Sequence, residues 1–410
     1  MQTLFRNAQV FNGVDAECAD GMDVLVEDGL IREVTGRSLK SSSARVIDVQ
    51  GRTLMPGLID AHVHAYASDV SVQRLEAHGE TYRAAHAARM LRHALDCGFT
   101  SVRDVGGGDF GLAQALADGL IRGPRFFYSG RALSMTGGHG DFRSAHDAEG
   151  PCACGAMSSV SRVADGVDEV IHAARDELRR GAHCIKIMAS GGVASPTDPI
   201  WMNQYREDEI RAVVEETSQR RTYTAAHCHP ASSILRCVQH GVRSIEHGTL
   251  IDRNTAEYVA SMGAFIVPTM AIIFALKEHG GRLGFPAASQ SKVETVFNHA
   301  LEGMDHMRQA GVKIAFGTDL LGTLYVEQCR EFALRREVFS ALEILRQATS
   351  IAAELIMQAG QLGCIAPGAH ADLLVVEGNP LEDIGLLANN GRGLRVIMRA
   401  GQLIKNELSG

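Results

Sequence analysis

The strongest constraint in this 410-residue chain is a rhythm: from about Gly57 to about Gly363, short apolar runs alternate with longer segments of helical periodicity, such as Asp208 to Arg221 and Lys292 to Ala310. Strands of a parallel sheet cannot be joined by tight turns, so each needs a crossover long enough for a helix, and repeated βα units produce this alternation. Eight strand candidates begin near Leu58, Thr100, Arg125, Cys184, Thr222, Ser244, Ala264 and Lys313. Eight units predict a closed (β/α)8 TIM barrel. An open doubly wound sheet is the alternative, but no G-x-G-x-x-G sequence follows the first strand, and Gly106-Gly107-Gly108 is too short and misplaced to cradle a phosphate.

Both ends of the chain read differently. Val10 to Gly13 and Met22 to Val34 near the start, and Ala371 to Gly378 and Val396 to Ile404 near the end, look like short strands with Asn-Gly or Asp-Gly turns. Two domains are therefore expected, the β-rich ends flanking something else.

Composition narrows the partners. With 45% hydrophobic and 21% charged residues the chain can bury a sizeable core, and a net charge of −8 without a basic cluster is a poor match for nucleic acid. No run of 18 apolar residues occurs, so no membrane span is expected, and Met1 to Asn7 has no signal-peptide pattern. Nine scattered cysteines, an odd number, suggest reduced thiols and a cytoplasmic location. Cys152 and Cys154 form a lone C-x-C, which reads as an incidental loop pair rather than a metal site.

The residues with chemical potential fall at the C-terminal ends of the strand candidates, where barrel enzymes carry their sites. In Leu58-Ile59-Asp60-Ala61-His62-Val63-His64, period-two geometry points His62 and His64 the same way. The fourth run, Cys184-Ile185-Lys186-Ile187-Met188, buries a lysine among apolar neighbours, where an unpaired ammonium is costly. Reaction with carbon dioxide would turn Lys186 into a carbamate able to bridge two cations; a snorkelling or ion-paired lysine is the plainer reading. The fifth run ends His227-Cys228-His229, the sixth Glu246-His247-Gly248, and the eighth Gly317-Thr318-Asp319. Alone, His62 and His64 could be loop histidines and Asp319 a helix cap. Together, four histidines, a lysine and an aspartate on strand ends point to a metal site.

This H-x-H, strand lysine, two later histidines and final aspartate resemble the binuclear zinc type of the amidohydrolase superfamily. The resemblance implies a TIM barrel over 57–363 with a small β-sandwich domain built from 1–56 and 364–410. It further implies that His62 and His64 bind one zinc, His227 and His247 the other, that the CO2-derived carbamate on Lys186 bridges them, and that Asp319 completes the first site. A bridging hydroxide would attack the amide carbonyl, with Asp319 relaying its proton to the departing nitrogen. Only one of His227 and His229 is needed as ligand, so His229 is expected on the substrate side.

The stretches Met135 to Asp141 and Ser190 to Pro199 resemble the branch containing Xaa-Pro dipeptidases (prolidases) and zinc carboxypeptidases. That branch implies release of a C-terminal residue from a dipeptide or N-acyl amino acid, with His139 and Tyr205 as candidates for holding carbonyl or carboxylate oxygens. A hydrophobic or proline-type leaving residue is favoured. An Arg/Lys-type carboxypeptidase would need a pocket acid, and Asp141, Asp198 and Glu246 are all available. A mycotoxin or aryl amide hydrolase and an imidazolonepropionase-like cyclic amidohydrolase stay open. A non-catalytic scaffold is disfavoured by the full ligand set. Homo-oligomers are common in the family.

Overall fold

The computed structural model describes residues 2–143, 158–195 and 197–408, so Cys152 and Cys154 lie outside the described residues. Eight strands form the centre: β1 (Leu58–Val63), β2 (Phe99–Asp104), β3 (Arg125–Tyr128), β4 (Ile185–Met188), β5 (Thr224–Pro230), β6 (Ser244–Leu250), β7 (Phe265–Val267) and β8 (Lys313–Ile314). All eight start within two residues of the positions expected from the alternating pattern. Neighbours pair in parallel from β1 to β3 and from β4 to β8. Backbone hydrogen bonds close the ring: His183 N–H, just before β4, donates to Tyr128 O of β3 at 2.8 Å, and Ala61 N–H of β1 donates to Phe316 O beyond β8 at 2.8 Å.

Parallel strands covered by helices are buried on both faces, which is why β1 and β2 are buried at every position despite carrying Asp60, His62, Arg103 and Asp104. The covering helices bury one stripe each. In the helix Gly166–Arg179, Val170, Ala173, Ala174, Glu177 and Leu178 face inward, the spacing of a 3.6-residue period. Two features were not legible in the alternating pattern. Short strands Ala132–Ser134 and Ser161–Val163 pair beside β4, and a ten-residue helix, Met270–His279, precedes the long helix Ala287–Ala310 between β7 and β8. Among the described residues no helix is long and apolar enough to cross a membrane.

The chain ends form a second sheet of eight strands, separate from the barrel and β-sandwich-like. Thr53–Pro56 from the first end runs antiparallel to Leu373–Val376 from the last, so the two termini share one sheet and one apolar cluster that includes Phe5, Val24, Leu54, Leu373 and Val396. At the hairpin between Ala19–Glu27 and Leu30–Thr35, Asp28 and Gly29 have φ of 50° and 84°, the left-handed pair that an Asp-Gly turn supplies at least cost. Arg125 at the start of β3 donates to Asp372 at 2.9 Å and ties the barrel to this sheet.

Beyond β8, Phe316 is fully buried, its ring 5.6 Å from Phe99 and 4.6 Å from Phe332, with the Arg335 guanidinium over its face. Phe316→Ala should cost about 3–5 kcal/mol, read as a lower chemical-denaturation midpoint; an unchanged midpoint would show that this cluster does not hold the barrel seam.

Candidate metal centre

The mouth of the barrel is built by charge pairing in its interior. Glu246, on β6, has no exposed side-chain surface and accepts from both sides. Arg103 of β2 donates to its two oxygens at 2.8 and 2.9 Å, and Ser244 Oγ donates at 2.6 Å. Burial would raise the Glu246 pKa, but Arg103 and His62 outweigh it and hold the carboxyl at about 2. A carboxylate only accepts, so the His62 Nδ1 at 2.7 Å from Glu246 must be the protonated nitrogen, and the Nε2 lone pair is left for another partner. That Nε2 is buried and without a hydrogen bond.

The other imidazoles repeat the arrangement. His64 Nδ1 donates to Gly106 O at 3.0 Å, His247 Nδ1 lies 2.8 Å from the Thr269 hydroxyl, and His229 Nδ1 lies 2.7 Å from the Thr249 hydroxyl. His227 uses its other nitrogen, Nε2, toward Gly191 O at 3.3 Å. Anchoring one ring nitrogen fixes the aim of the other, as in metal-binding histidines, and a carbonyl partner, as at His64 and His227, fixes the tautomer too. The triple glycine has a role here other than phosphate binding, since a Cβ on Gly106 would stand 2.9 Å from the His64 ring.

Asp319 is brought to β1 by Asp60, which accepts from Thr318 N–H and Thr318 Oγ at 3.2 and 2.7 Å, while Asp319 N–H donates to His62 O at 2.8 Å. Its Oδ1 lies 3.5 Å from His62 Nε2 and 3.1 Å from His64 Nε2. Burial alone would raise its pKa; His62 and His64 outweigh that and hold the carboxyl well below its ordinary value. Asp319 and His247 have φ of 57° and 71°, a left-handed backbone that non-glycine residues adopt at a cost and that clusters at functional sites.

Ligand atoms of His62, His64 and Asp319 lie within 4.8 Å of one another. The His247 ring stands 5.0 Å from that of His62 and 4.6 Å from that of His227. Lys186, on β4, is 1% exposed and pairs in register with Ala225, two residues before His227, so it occupies the inner face one layer below. Burial lowers its pKa, against the pull of Glu246 and Asp319. Burial likewise holds His227 and His247 neutral, well below the ordinary histidine value. Neutral imidazoles, a carboxylate and an unpartnered buried nitrogen are a donor set that fits a divalent cation.

His139 also reaches the mouth, stacked on His227 at 4.2 Å. Its Nδ1 is 2.7 Å from Ser195 Oγ, and a Cβ on Gly192 would strike its ring at 2.2 Å, which accounts for glycine at the tip of β4. Tyr205 does not line the cavity that His139, His227, His229, His247 and Asp319 share. It is 5% exposed, with a buried hydroxyl that has no hydrogen-bond partner and with Glu209, Asp165 and Glu169 as its charged neighbours.

The fold and this cluster define a barrel enzyme whose mouth carries a possible His-His-Asp metal site. The model of the amidohydrolase family matches residues 53–404, and the chain belongs to that family. It is 33% identical to the ochratoxinase of Aspergillus niger over 366 residues, 86% of this chain and 75% of the relative. It also superimposes on a prolidase complexed with N-methylphosphonate-L-proline (TM-score 0.96, 45% identity, 99% of this chain and 100% of that one). A Xaa-Pro dipeptidase with bound methionine gives a TM-score of 0.88 at 28% identity, over 99% and 100%. The protein is a hydrolase acting on amide bonds.

Sequence reasoning missed Arg103 and treated Glu246 only as a candidate pocket acid. The signal for Arg103 was the one that exposed Lys186, a cation inside a strand buried throughout. Glu246→Gln removes the charge that balances Arg103 and turns one of the two acceptor oxygens shared by Arg103, Ser244 and His62 into a donor, so the hold on His62 competes with the other two. It should cost about 3–5 kcal/mol of stability and weaken metal binding roughly 10- to 100-fold, measured by denaturation and by competitive chelator titration; wild-type metal affinity would refute the aiming role.

Proposed function

We propose that this chain is a binuclear zinc amidohydrolase that releases the C-terminal residue of dipeptides or N-acyl amino acids, in the manner of a Xaa-Pro dipeptidase. The observation that carries this reading is the anchoring of one nitrogen on each of His62, His64, His227 and His247, around Asp319 and above Lys186. His62, His64 and Asp319 would hold one zinc, His227 and His247 the other, with the Lys186 carbamate between them, and the pair would supply an activated water and a polarised carbonyl.

The chain's own groups do the rest. Burial drives the Lys186 amine toward its neutral form, the form that adds to carbon dioxide: Nζ bonds to the carbon, a proton leaves, and a carbamate of single negative charge remains. Asp319, kept anionic by His62 and His64, accepts the proton of the attacking water and returns it to the leaving nitrogen. His139 and His229 are the candidates for receiving carbonyl or carboxylate oxygens. The similarity to a prolidase and a Xaa-Pro dipeptidase supports the dipeptide reading. The similarity to an ochratoxinase favours a second one, hydrolysis of a mycotoxin or aryl amide with the same machinery. The proposal includes residues 57–363 as the catalytic unit, 1–56 with 364–410 as the sandwich domain, a homo-oligomer and a cytoplasmic location.

A panel of dipeptides and N-acyl amino acids assayed with the zinc-loaded protein tests the reading; no turnover of any amide would sink it. Asp319→Asn should keep at least part of its metal and lose about two orders of magnitude or more in kcat, by metal analysis and steady-state kinetics. Near-normal turnover in that variant would remove Asp319 from its role. Lys186→Ala should lose the second metal equivalent, and retention of two equivalents would remove Lys186 from the bridge.

A further inference from the structure

One lysine joins two elements at the mouth. Lys292 lies on helix Ala287–Ala310, whose Val293 and Val296 form an apolar wall of the cavity together with Ile272 and Ile273; His139, His227, His229, His247 and Asp319 line the same cavity. From that helix its ammonium crosses to the loop after β4 and donates to the carbonyls of Gly192, Ser195 and Asp198 at 3.1, 2.9 and 2.6 Å. An ammonium has three N–H donors, so all of them are spent on the chain itself and none is left for a substrate carboxylate. The same ammonium stands 3.7 Å from Asp198 Oδ1, a buried oxygen with no hydrogen bond.

The loop gathered in this way holds His139. Ser195 Oγ lies 2.7 Å from His139 Nδ1, and Asp198 Oδ2 lies 3.6 Å from the same nitrogen. Asp198 Oδ2 also accepts from Gly192 N–H and Gln204 Nε2 at 3.1 and 3.0 Å, while Gln204 Oε1 accepts from His139 N–H at 2.9 Å. Ring and backbone of His139 therefore both lead back to one cage around Lys292. Asp198 and Ser195 are buried, and a buried carboxylate is kept only where donors and a counter-charge surround it.

We propose that Lys292 is a positioning residue: by drawing Gly192, Ser195 and Asp198 around its ammonium, it holds the His139 ring at the cavity, stacked on His227. It acts through His139 and touches no substrate. The inference rests on the reading of His139 as a group that receives a substrate oxygen, and deepens it by naming what sets that group in place.

The helix itself does not depend on this contact. Val293, Val296, Ala300, Met304 and Met307 bury its inner stripe, and Arg74 holds the preceding turn by donating to Leu283 O at 2.7 Å. Lys292→Met thus removes the ammonium and keeps a long helix-forming side chain.

The variant should retain its metal content and thermal midpoint and lose about 100-fold in kcat/KM, the usual cost of a small misplacement at a reacting centre. The loss should fall on the same parameter, kcat or KM, that His139→Ala changes. In a His139→Ala background, Lys292→Met should lower kcat/KM by no more than about 3-fold further, because both changes remove one interaction. Hydrogen exchange should speed up in the peptides that carry His139 and Gly192, and not in the one that carries Ala300 to Met307. Should Lys292→Met not fold, Ser195→Ala cuts the same chain at its other end, with the same loss and the same dependence on His139 expected. Near-normal turnover, or losses that multiply in the double variant, overturns the positioning role while leaving amide hydrolysis standing. A wild-type enzyme that cleaves no amide fails the functional reading, and exchange then decides this inference alone: faster exchange at His139 in the variant keeps it and unchanged exchange overturns it.

Discussion

A single carboxylate at the centre of the barrel sets the rest of the site. Glu246 is shut away from water, and three strands reach it: Arg103 from β2, Ser244 from its own strand and His62 from β1. An ionised carboxyl is tolerable there only because a guanidinium and two further donors surround it, and that requirement fixes where β1, β2 and β6 stand relative to one another. The same contact decides which His62 nitrogen carries a proton. Packing of the interior and the chemistry of the mouth are therefore one problem.

The candidate metal-binding face follows from this frame with small additions. Asp60 accepts from the backbone and hydroxyl of Thr318, holding the segment beyond β8 against β1 and delivering Asp319 to the two histidines. Backbone carbonyls of Gly106 and Gly191 and the hydroxyls of Thr249 and Thr269 orient four further imidazoles. These anchors sit on the loops after β2, β4 and β7 and at the end of β6, so the mouth is supported from nearly every side. The left-handed backbone at His247 and Asp319 is the local cost of turning side chains inward at strand ends.

Much of the candidate site was visible before any coordinates because its residues are chemically conspicuous. His62, His64, Lys186, His227, His247 and Asp319 interrupt apolar strand ends, and side-chain alternation predicts a shared face. Residues that act through ordinary contacts were not visible. Thr249 and Thr269 look like any buried hydroxyls, Ser195 stands out only because its hydroxyl lies 2.7 Å from His139 Nδ1, and Tyr205 looked like a polar handle but is buried near Glu209. The apolar wall of Ile272, Ile273 and Val296 is indistinguishable in sequence from a helix's core stripe.

The sequence by itself determined the barrel, the β structure at both ends and the candidates for a metal site, because periodicity and the cost of burying charge are local properties of a chain. Tertiary structure alone decided which nitrogen of each imidazole is free, which acids are already neutralised by a partner and which aliphatic side chains face the cavity. The ring anchors depend on contacts between segments some twenty or more residues apart, from His229 with Thr249 and His247 with Thr269 to Arg103 with Glu246 and His62 with Glu246, and no pattern within a short window records them.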